Sequence, residues 1–196
     1  WGTPDEFHYA SREFSGDFDF SARVASVENV NRWTKAGLMI RDGLTAGAEY
    51  AFLMGTPGTG RGVAFQGRTS SGGSATSFGP SVLIAPPVYL RLTRRGNFIS
   101  AFYRRAAADD WTLIAGLLMS NLSATVNIGF AVSSHVDGRL ATAVFDGVSI
   151  RPIPDWQTRD IGDVGLPGST TVSGSGVEIG ASGTDIWGTD DEFRFR

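Results

Sequence analysis

The sequence predicts an all-β protein, built as a sandwich of antiparallel sheets. Apolar and polar residues alternate along many short segments of its 196 residues, and Gly, Ser and Thr separate these segments. The segments recur about every 10 residues, which leaves little room for helices. A composition of 41% hydrophobic and 19% charged residues indicates a chain that folds around an apolar core.

Residues 17–24 show the alternation most clearly. Phe18, Phe20 and Val24 fall on one face of a strand and charged or polar residues fall on the other, because successive side chains point to opposite faces. This pattern predicts a half-buried antiparallel strand. The same pattern predicts eight further strands, at residues 36–41, 50–54, 62–68, 88–93, 98–103, 111–115, 126–132 and 140–150.

Turn sequences connect the predicted strands. Residues 94–97 and 136–139 each place a glycine between two strands, which predicts hairpins. The Gly- and Ser-rich stretches at 56–62 and 70–79 predict exposed loops. Two sheets would then bury their apolar faces against each other, about 10 Å apart. We expect the core to contain Phe18, Phe20, Val24, Leu38, Ile40, Phe52, Phe65, Leu90, Leu92, Phe102, Phe130, Val132 and Phe145.

Charge and composition exclude several classes of partner. The net charge is -3 and no basic tract occurs, so the sequence offers neither a footprint for nucleic acid nor a polybasic membrane anchor. No stretch approaches the roughly 20 apolar residues of a membrane-spanning helix, so we expect no membrane insertion. The absence of cysteine removes disulfides and thiolate metal sites. We expect no cofactor.

A short segment of the sequence occurs twice. Residues 187–195 match residues 1–9, with six of the nine positions identical. A match that contains Trp and Asp-Glu-Phe indicates a domain-sized repeat, so we expect the parent protein to carry this module several times. After the last strong strand the sequence becomes rich in Ser, Gly and Thr. We predict a main sandwich over residues 1–153, a linker over 154–168, and strands over 169–196 that complete a sandwich and begin the next repeat.

Several runs of residues, in their order along the chain, resemble a known family. They are Asp5-Glu6-Phe7-His8-Tyr9, Ser15-Gly16-Asp17-Phe18, Lys35-Ala36-Gly37-Leu38-Met39-Ile40-Arg41, Val63-Ala64-Phe65-Gln66, Leu90-Arg91-Leu92-Thr93-Arg94, Gly129-Phe130-Ala131-Val132-Ser133-Ser134-His135 and Phe145-Asp146-Gly147-Val148. Together they resemble the concanavalin A-like (LamG-type) modules related to the DUF1349 group. The resemblance implies a jelly-roll sandwich from a bacterial secreted protein, in which such modules accompany glycoside hydrolases or adhesive repeats. We therefore expect an extracellular or cell-surface location.

The resemblance also implies that a complete module begins near Asp160, so that residues 160–186 supply its opening strand. These residues then either fold back into the same sandwich or complete a neighbouring copy. Folding back is slightly favoured, because two parts of one chain meet at a high effective concentration. The alternative is donor-strand exchange, which builds fibres or swapped assemblies from copies of the chain or from adjacent repeats.

A carbohydrate site on a sheet needs a flat aromatic ring and a few planar polar groups, because sugar rings have apolar faces and hydroxyls that require hydrogen bonds. Alternation places Gln66 and Arg68 on the same face. The alternatives are an ordinary solvated sheet face for the polar residues and a structural role for the histidines. The candidate binding residues are Trp33, Arg41, Gln66, Arg68, His8 and His135.

The sequence gives little support for catalysis or for a metal. Concanavalin A-like glucanases take their carboxylates from a Glu-x-Asp-x-x-Glu run on one strand, and this run is absent here. We therefore do not expect an enzyme. Asp146 is a candidate ligand for a structural calcium ion, but a single acid also fits a capping role at a strand end.

Two functions from different classes remain. The first is a non-catalytic extracellular module with a structural or adhesive role, which assembles into fibres by strand exchange or tandem stacking. Its partners are further copies of the module. The second is a carbohydrate-binding module attached to a polysaccharide-degrading enzyme, and its partner is a polysaccharide.

Overall fold

The computed structural model describes residues 5–58, 62–153, 159–173, 176–183 and 193–195. The chain divides into two compact units, Trp1–Ile153 and Pro154–Arg196. The described residues form strands, turns and bends without helices, so none of them belongs to an apolar helix that could cross a membrane.

Eleven strands lie in the described part of the first unit. They are β1 (His8–Ser15), β2 (Phe18–Val27), β3 (Lys35–Arg41), β4 (Tyr50–Gly55), β5 (Val63–Arg68), β6 (Thr76–Val82), β7 (Val88–Arg95), β8 (Phe98–Arg104), β9 (Thr112–Leu118), β10 (Thr125–Ser133) and β11 (Ala143–Pro152). Those of the second unit are β12 (Arg159–Ile161), β13 (Ser169–Ser173), β14 (Gly176–Gly180) and β15 (Phe193–Phe195).

The strands of the first unit form two sheets. The six-stranded sheet has the order β1-β10-β3-β4-β5-β6, and the five-stranded sheet has the order β11-β2-β7-β8-β9. Every neighbouring pair is antiparallel. Buried apolar residues of both sheets form one continuous core. The prediction of an all-β antiparallel sandwich is therefore confirmed.

Alternate strand positions fill this core. Buried and half-buried residues alternate along most of β2, as expected for a strand with one face toward the core. On this strand Phe20 and Val24 are fully buried and lie opposite Leu92 and Val88 of β7. The predicted residues found in the core are Phe18, Phe20, Val24, Leu38, Ile40, Phe65, Leu90 and Leu92, with Phe130 and Phe145 packed against it.

Three predicted core residues lie elsewhere. Phe52 belongs to a second apolar cluster, because its neighbour Leu53 already faces the core between the sheets. Phe102 is half-buried beneath the guanidinium of Arg91, whose Cζ atom lies 5.3 Å from the centre of the ring. Val132 is also only half-buried. Strand β4 is apolar at every position, so its sequence pattern does not indicate which of its faces meets the other sheet.

The connections agree with the prediction in one place and differ in two. Gly96, with a φ of 55°, forms the tight turn between β7 and β8 that the sequence predicts for residues 94–97. Residues 136–139 do not form a hairpin, because β10 and β11 belong to different sheets. The predicted loop 70–79 contains the start of β6. In addition, the sequence pattern does not predict strand β1. Both strands lie at a sheet edge and are mostly exposed, so their sequences show little alternation.

The second unit contains two short antiparallel pairs. Strand β12 pairs with β15, and β13 pairs with β14, so each takes its partner from within this unit. Strand β12 falls in the predicted linker, 154–168. Completion of a sandwich by residues 169–196, in this copy or in a neighbouring one, stays a prediction. Residues 187–192 of the repeated segment lie outside the described residues.

Candidate functional site

The outer face of the six-stranded sheet is largely apolar. Every residue of β4 is buried, which requires cover on both faces of this strand. On the outer side, Phe7 in the segment before β1 and Tyr9 at the start of β1 supply part of this cover. We call the apolar group on this face the outer cluster. It consists of Met39, Tyr50, Phe52, Met54, Ala75 and Ala131, with Phe7, Tyr9 and Ala64 packed against them.

Beside the outer cluster, one carboxylate pairs with two arginines. The Oδ2 atom of Asp5 accepts hydrogen bonds from Arg68 Nη1 at 2.7 Å and Arg41 Nη1 at 2.9 Å, and Oδ1 accepts from Arg68 Nη2 at 2.8 Å. The side chains of Asp5, Arg41 and Arg68 are 7%, 2% and 0% exposed. The hydrogen bond to Asp5 is the main cause that raises the pKa of Arg68. Because unpaired buried ions are costly, the three charges depend on one another. We call Arg41 and Arg68 the arginine socket.

Carbonyl groups and an aromatic ring complete the surroundings of the socket. Arg68 Nε donates to the Gly73 carbonyl at 2.7 Å, and Arg41 Nη2 donates to the Thr45 carbonyl at 2.6 Å. The Cζ atoms of Arg68 and Arg41 lie 5.2 and 5.6 Å from the centre of the Tyr50 ring. Two guanidinium groups and one carboxylate leave an excess positive charge. Carbonyl dipoles and the negative face of the ring offset this excess.

Two tyrosines of the outer cluster are held in their neutral form. The Tyr9 hydroxyl donates to the Asn127 carbonyl at 2.9 Å and also lies 3.1 Å from the Met39 carbonyl oxygen. Burial raises the pKa of Tyr9 above its usual value. Burial, followed by the charge of Asp5, also raises the pKa of Tyr50. At neutral pH both hydroxyls therefore serve as hydrogen-bonding groups and not as bases.

A groove of about 860 Å³ lies on this face. Residues of β3, β4, β5 and β10 form one side of it, with Met39, Tyr50 and Phe52 as apolar surface. The segment before β1 and the connection between β10 and β11 form the remaining described lining. Small-molecule sites are clefts of roughly 300–1,000 Å³ with apolar walls and a few polar groups, and the groove fits this description.

Gln66 brings an unusual polar group to the groove. Its side chain is 4% exposed, and its Nε2 atom donates to the Tyr50 hydroxyl at 3.3 Å. Its Oε1 atom is buried and has no hydrogen-bond partner in the part of the chain that the structure describes. An unsatisfied buried acceptor costs about 1–3 kcal/mol. A ligand that donated a hydrogen bond to Oε1 would therefore remove an existing cost.

One end of the groove carries two basic groups, Lys35 and His135, whose pKa values are lowered. Burial lowers the pKa of Lys35, whose Nζ donates to the Trp33 carbonyl at 3.0 Å. Burial and then the charge of Lys35 lower the pKa of His135. The His135 backbone has a φ of 62°, a left-handed conformation that few non-glycine residues adopt. The ring centres of Trp33 and His135 are 6.4 Å apart. A neutral imidazole here both donates and accepts hydrogen bonds.

The structure separates the predicted binding residues into two groups. His8, Gln66 and His135 line the groove, whereas Arg41 and Arg68 lie beneath the surface with Asp5. The ordinary solvated face considered for Arg41, Gln66 and Arg68 is wrong, since they are 2%, 4% and 0% exposed. A direct sugar contact by any of these residues or by Trp33 stays a prediction.

Asp146 lies on the exposed side of β11. Its carboxylate accepts a hydrogen bond from Arg23 Nη1 at 2.7 Å, and both side chains are partly exposed. Within the described ranges, no group of three or more His, Asp or Glu side chains is arranged to hold a metal ion. A calcium role for Asp146 stays a prediction.

Four residues that organise this face, Asp5, Phe7, Tyr9 and Tyr50, were not among the predicted site residues. Asp5 and Phe7 belong to the repeated segment and are identical in its second copy, so the repeat itself points to them. Tyr9 and Tyr50 carry no comparable signal. Their neighbours come from distant parts of the chain, which only the pairing of the strands reveals.

Comparisons with known proteins show the fold. No family model and no curated protein matches the chain. Among solved structures, a xylan β-1,4-xylosidase from Bacillus halodurans superposes with a TM-score of 0.60 at 14% identity, over 74% of this chain and 30% of that chain. A functionally unknown protein from Saccharomyces cerevisiae gives 0.58 at 16% identity, over 77% of both chains. The carbohydrate-binding module CBM66 from Bacillus subtilis gives 0.52 at 18% identity, over 75% of this chain and 81% of that chain.

These likenesses confirm the predicted antiparallel jelly-roll sandwich. Identities below 20% establish the architecture and leave the function to be argued from the site. The relation to the DUF1349 group and the origin from a bacterial repeat protein stay predictions.

Substitution of Asp5 by Asn tests the role of the arginine socket. The change keeps the shape of the side chain and removes the charge that compensates two buried guanidinium groups. We expect the free energy of unfolding to fall by about 3–5 kcal/mol, measured by urea unfolding followed by tryptophan fluorescence. The matched control is Asp146→Asn, which breaks an exposed pair and should cost less than about 1 kcal/mol. Equal losses for the two variants would contradict the assignment.

The raised pKa values of the buried tyrosines predict a loss of stability in alkali. A tyrosine whose pKa is higher in the folded state favours folding below the ordinary value of about 10, and this contribution is lost as the pH rises through the folded-state pKa. We expect the free energy of unfolding to fall with pH above about 10, and to fall less steeply in Tyr9→Phe. Urea unfolding at a series of alkaline pH values measures both slopes. Identical slopes would refute the contribution of Tyr9.

Proposed function

We propose that the first unit binds a carbohydrate in the groove on the outer face of the six-stranded sheet. The observation that carries this proposal is Gln66, a residue of the groove lining whose buried Oε1 atom has no hydrogen-bond partner among the described residues. Sugar hydroxyls are donors of the kind that this atom needs. An extracellular location, and attachment to a polysaccharide-degrading enzyme, belong to the same proposal.

The rest of the groove suits a sugar ring. Tyr50 and Phe52 are buried behind the lining, and the half-buried ring of Phe7 offers aromatic surface that packs against the apolar face of a pyranose. Lys35 and His135 offer hydrogen-bonding groups at the end of the groove. Glu6 and Asp137 in the lining balance the charges of Lys35 and Arg139, so no strong positive charge attracts a polyanion to the groove. A neutral polysaccharide fits this combination better than a polyanion does.

The fold supports the proposal without carrying it alone. One structural neighbour is named a carbohydrate-binding module and another a xylan β-1,4-xylosidase. Because one fold hosts many functions, the residues of the groove support carbohydrate binding more directly than these names do.

Binding without catalysis is the form that we propose. Among the described residues, the acids that line the groove are Asp5, Glu6 and Asp137. The carboxylate of Asp5 is held by two arginines, and Glu6 and Asp137 are exposed. A glycosidase needs two carboxyl groups that flank the scissile bond and are free to act on it, and the carboxylate of Asp5 is already bound.

Gln66→Met tests the proposed site. Methionine has a similar volume and no amide, so it removes both the unsatisfied acceptor and the hydrogen bond from Nε2 to the Tyr50 hydroxyl. Because these two effects on stability have opposite signs, we expect the free energy of unfolding to change by less than about 1 kcal/mol. A glycan array on the unaltered chain identifies the ligand, and isothermal titration calorimetry then measures its affinity. We expect the variant to bind at least about tenfold more weakly, which is 1.4 kcal/mol.

Two further measurements complete this test. Thr112→Ala, on the exposed side of the five-stranded sheet, is the matched control and should bind as the unaltered chain does. Trp33→Ala reports whether the ring beside His135 contributes to affinity. No binding to any neutral glycan on the array, or equal affinity for Gln66→Met and Thr112→Ala, would refute the groove as a carbohydrate site.

A second function, assembly from copies of the chain, is supported by a different observation. The segment that carries Asp5 and Phe7 recurs at residues 187–195. A module with two such segments suits a structural or adhesive protein that forms fibres by strand exchange or tandem stacking. Sedimentation velocity over a concentration series tests this. A sedimentation coefficient that rises with concentration supports it, and a monomer at every concentration contradicts it.

A further inference from the structure

The outer face of the five-stranded sheet carries a cluster of arginines and aromatic rings. Strands β7 and β8 pair so that Tyr89 lies opposite Arg104 and Arg91 lies opposite Phe102. Trp111 directly precedes β9 and lies beside both arginines. All five residues are half-buried, so each keeps surface toward solvent. We call these five residues the arginine-aromatic platform. None of them belongs to the groove or to the arginine socket.

Guanidinium groups and rings alternate through the platform. The Cζ atom of Arg104 lies 5.0 Å from the ring centre of Tyr89 and 4.4 Å from that of Trp111. The Cζ atom of Arg91 lies 5.6 Å from the ring centre of Trp111 and 5.3 Å from that of Phe102. Each arginine therefore contacts two rings, and both share Trp111. An arginine that stacks on a ring still binds carboxylates, because its donors lie in the plane of the guanidinium.

The two arginines differ in what balances their charge. Arg91 Nε donates to Asp19 Oδ1 at 2.9 Å, and Arg91 Nη2 donates to Asp19 Oδ2. Arg104 forms no ion pair with any residue that the structure describes. Its Nη1 atom donates to the Asp109 carbonyl at 3.3 Å, and its buried Nε atom has no hydrogen-bond partner in this part of the chain. Arg104 thus has the aromatic surroundings of Arg91 but lacks a carboxylate.

The charge of the whole face favours an anion. At neutral pH the outward positions of the five strands carry five arginines and two aspartates, a net charge of +3, whereas the chain as a whole has a net charge of -3. The turn between β8 and β9 adds one arginine and two aspartates, and the face stays positive. No basic tract marks this face in the sequence, because four strands contribute the arginines. The residues are Arg23, Arg91, Arg95, Arg104 and Arg151, with Asp19 and Asp146.

We propose that the platform binds an acidic polysaccharide. A carboxylate of a uronic acid unit pairs with Arg104 as Asp19 pairs with Arg91. The apolar face of the sugar packs against the exposed parts of the platform rings. Leu113, which lies opposite Phe102 in the sheet and is 57% exposed, adds apolar surface. Each unit of such a polymer supplies one ring and one carboxylate, which matches the alternation of rings and guanidinium groups.

This site goes beyond the proposed function, because it differs from the groove in place and in ligand. The groove lies on the outer face of the six-stranded sheet, and acids in its lining balance the bases there. The platform lies on the five-stranded sheet and holds a guanidinium without a carboxylate. Charge attraction therefore contributes to binding at the platform, and a failure of either site leaves the other unaffected.

Oligogalacturonate and its methyl ester test the proposal on the unaltered full chain. The ester keeps the sugar rings and removes the carboxylate charges. We expect isothermal titration calorimetry to show at least about tenfold tighter binding of the acid, which is 1.4 kcal/mol. This preference should weaken in about 1 M salt, which screens exposed charges. No binding of the acid, or equal affinity for acid and ester, would overturn the proposal. Equally tight binding of polyglutamate would overturn the assignment to a polysaccharide.

Variant proteins then locate the site. Arg104→Gln removes the guanidinium that lacks a carboxylate, and we expect it to bind oligogalacturonate at least about tenfold more weakly. Arg12→Gln, on the exposed strand β1 of the other sheet, removes the same charge from the chain and should bind as the unaltered chain does. Both positions lie outside the groove lining. Equal affinity of the two variants would overturn the platform as the site. The comparison of acid and ester needs no variant, so it stays decisive if Arg104→Gln does not fold.

Discussion

The carboxylate of Asp5 is the interaction on which the outer face of the molecule depends. It compensates two guanidinium groups that are almost wholly withdrawn from water, one at the end of β3 and one at the end of β5. Breaking a buried ion pair by removing one partner is costly, because the remaining charges keep their desolvation penalty. The segment before β1, with Phe7, is thereby held against the sheet next to Tyr9 at the start of β1.

This arrangement gives the six-stranded sheet two different apolar faces. The inner face packs against the five-stranded sheet in the core of the sandwich. The outer face carries a smaller cluster with polar groups built into it, among them Gln66 and Tyr50. The groove lies where this cluster meets the segment before β1 and the connection from β10 to β11. The same contacts that stabilise the segment thus shape the proposed carbohydrate site.

The repeated segment acquires a physical meaning from this geometry. In the first copy its aspartate and first phenylalanine make the ion pairs and ring contacts of the outer face. The second copy keeps both residues and replaces Tyr9 by Phe195.

The sequence by itself determined the class of fold and most of the strands, because alternation along a strand is a local property. It identified Phe20, Leu38 and Leu92 as core residues for the same reason. It did not determine which face of β4 meets the core, since that strand is apolar throughout. Nor did it pair Asp5 with Arg41 and Arg68, which are 36 and 63 residues away. Only the tertiary structure decided which buried polar groups meet, because strand order and register bring distant residues together.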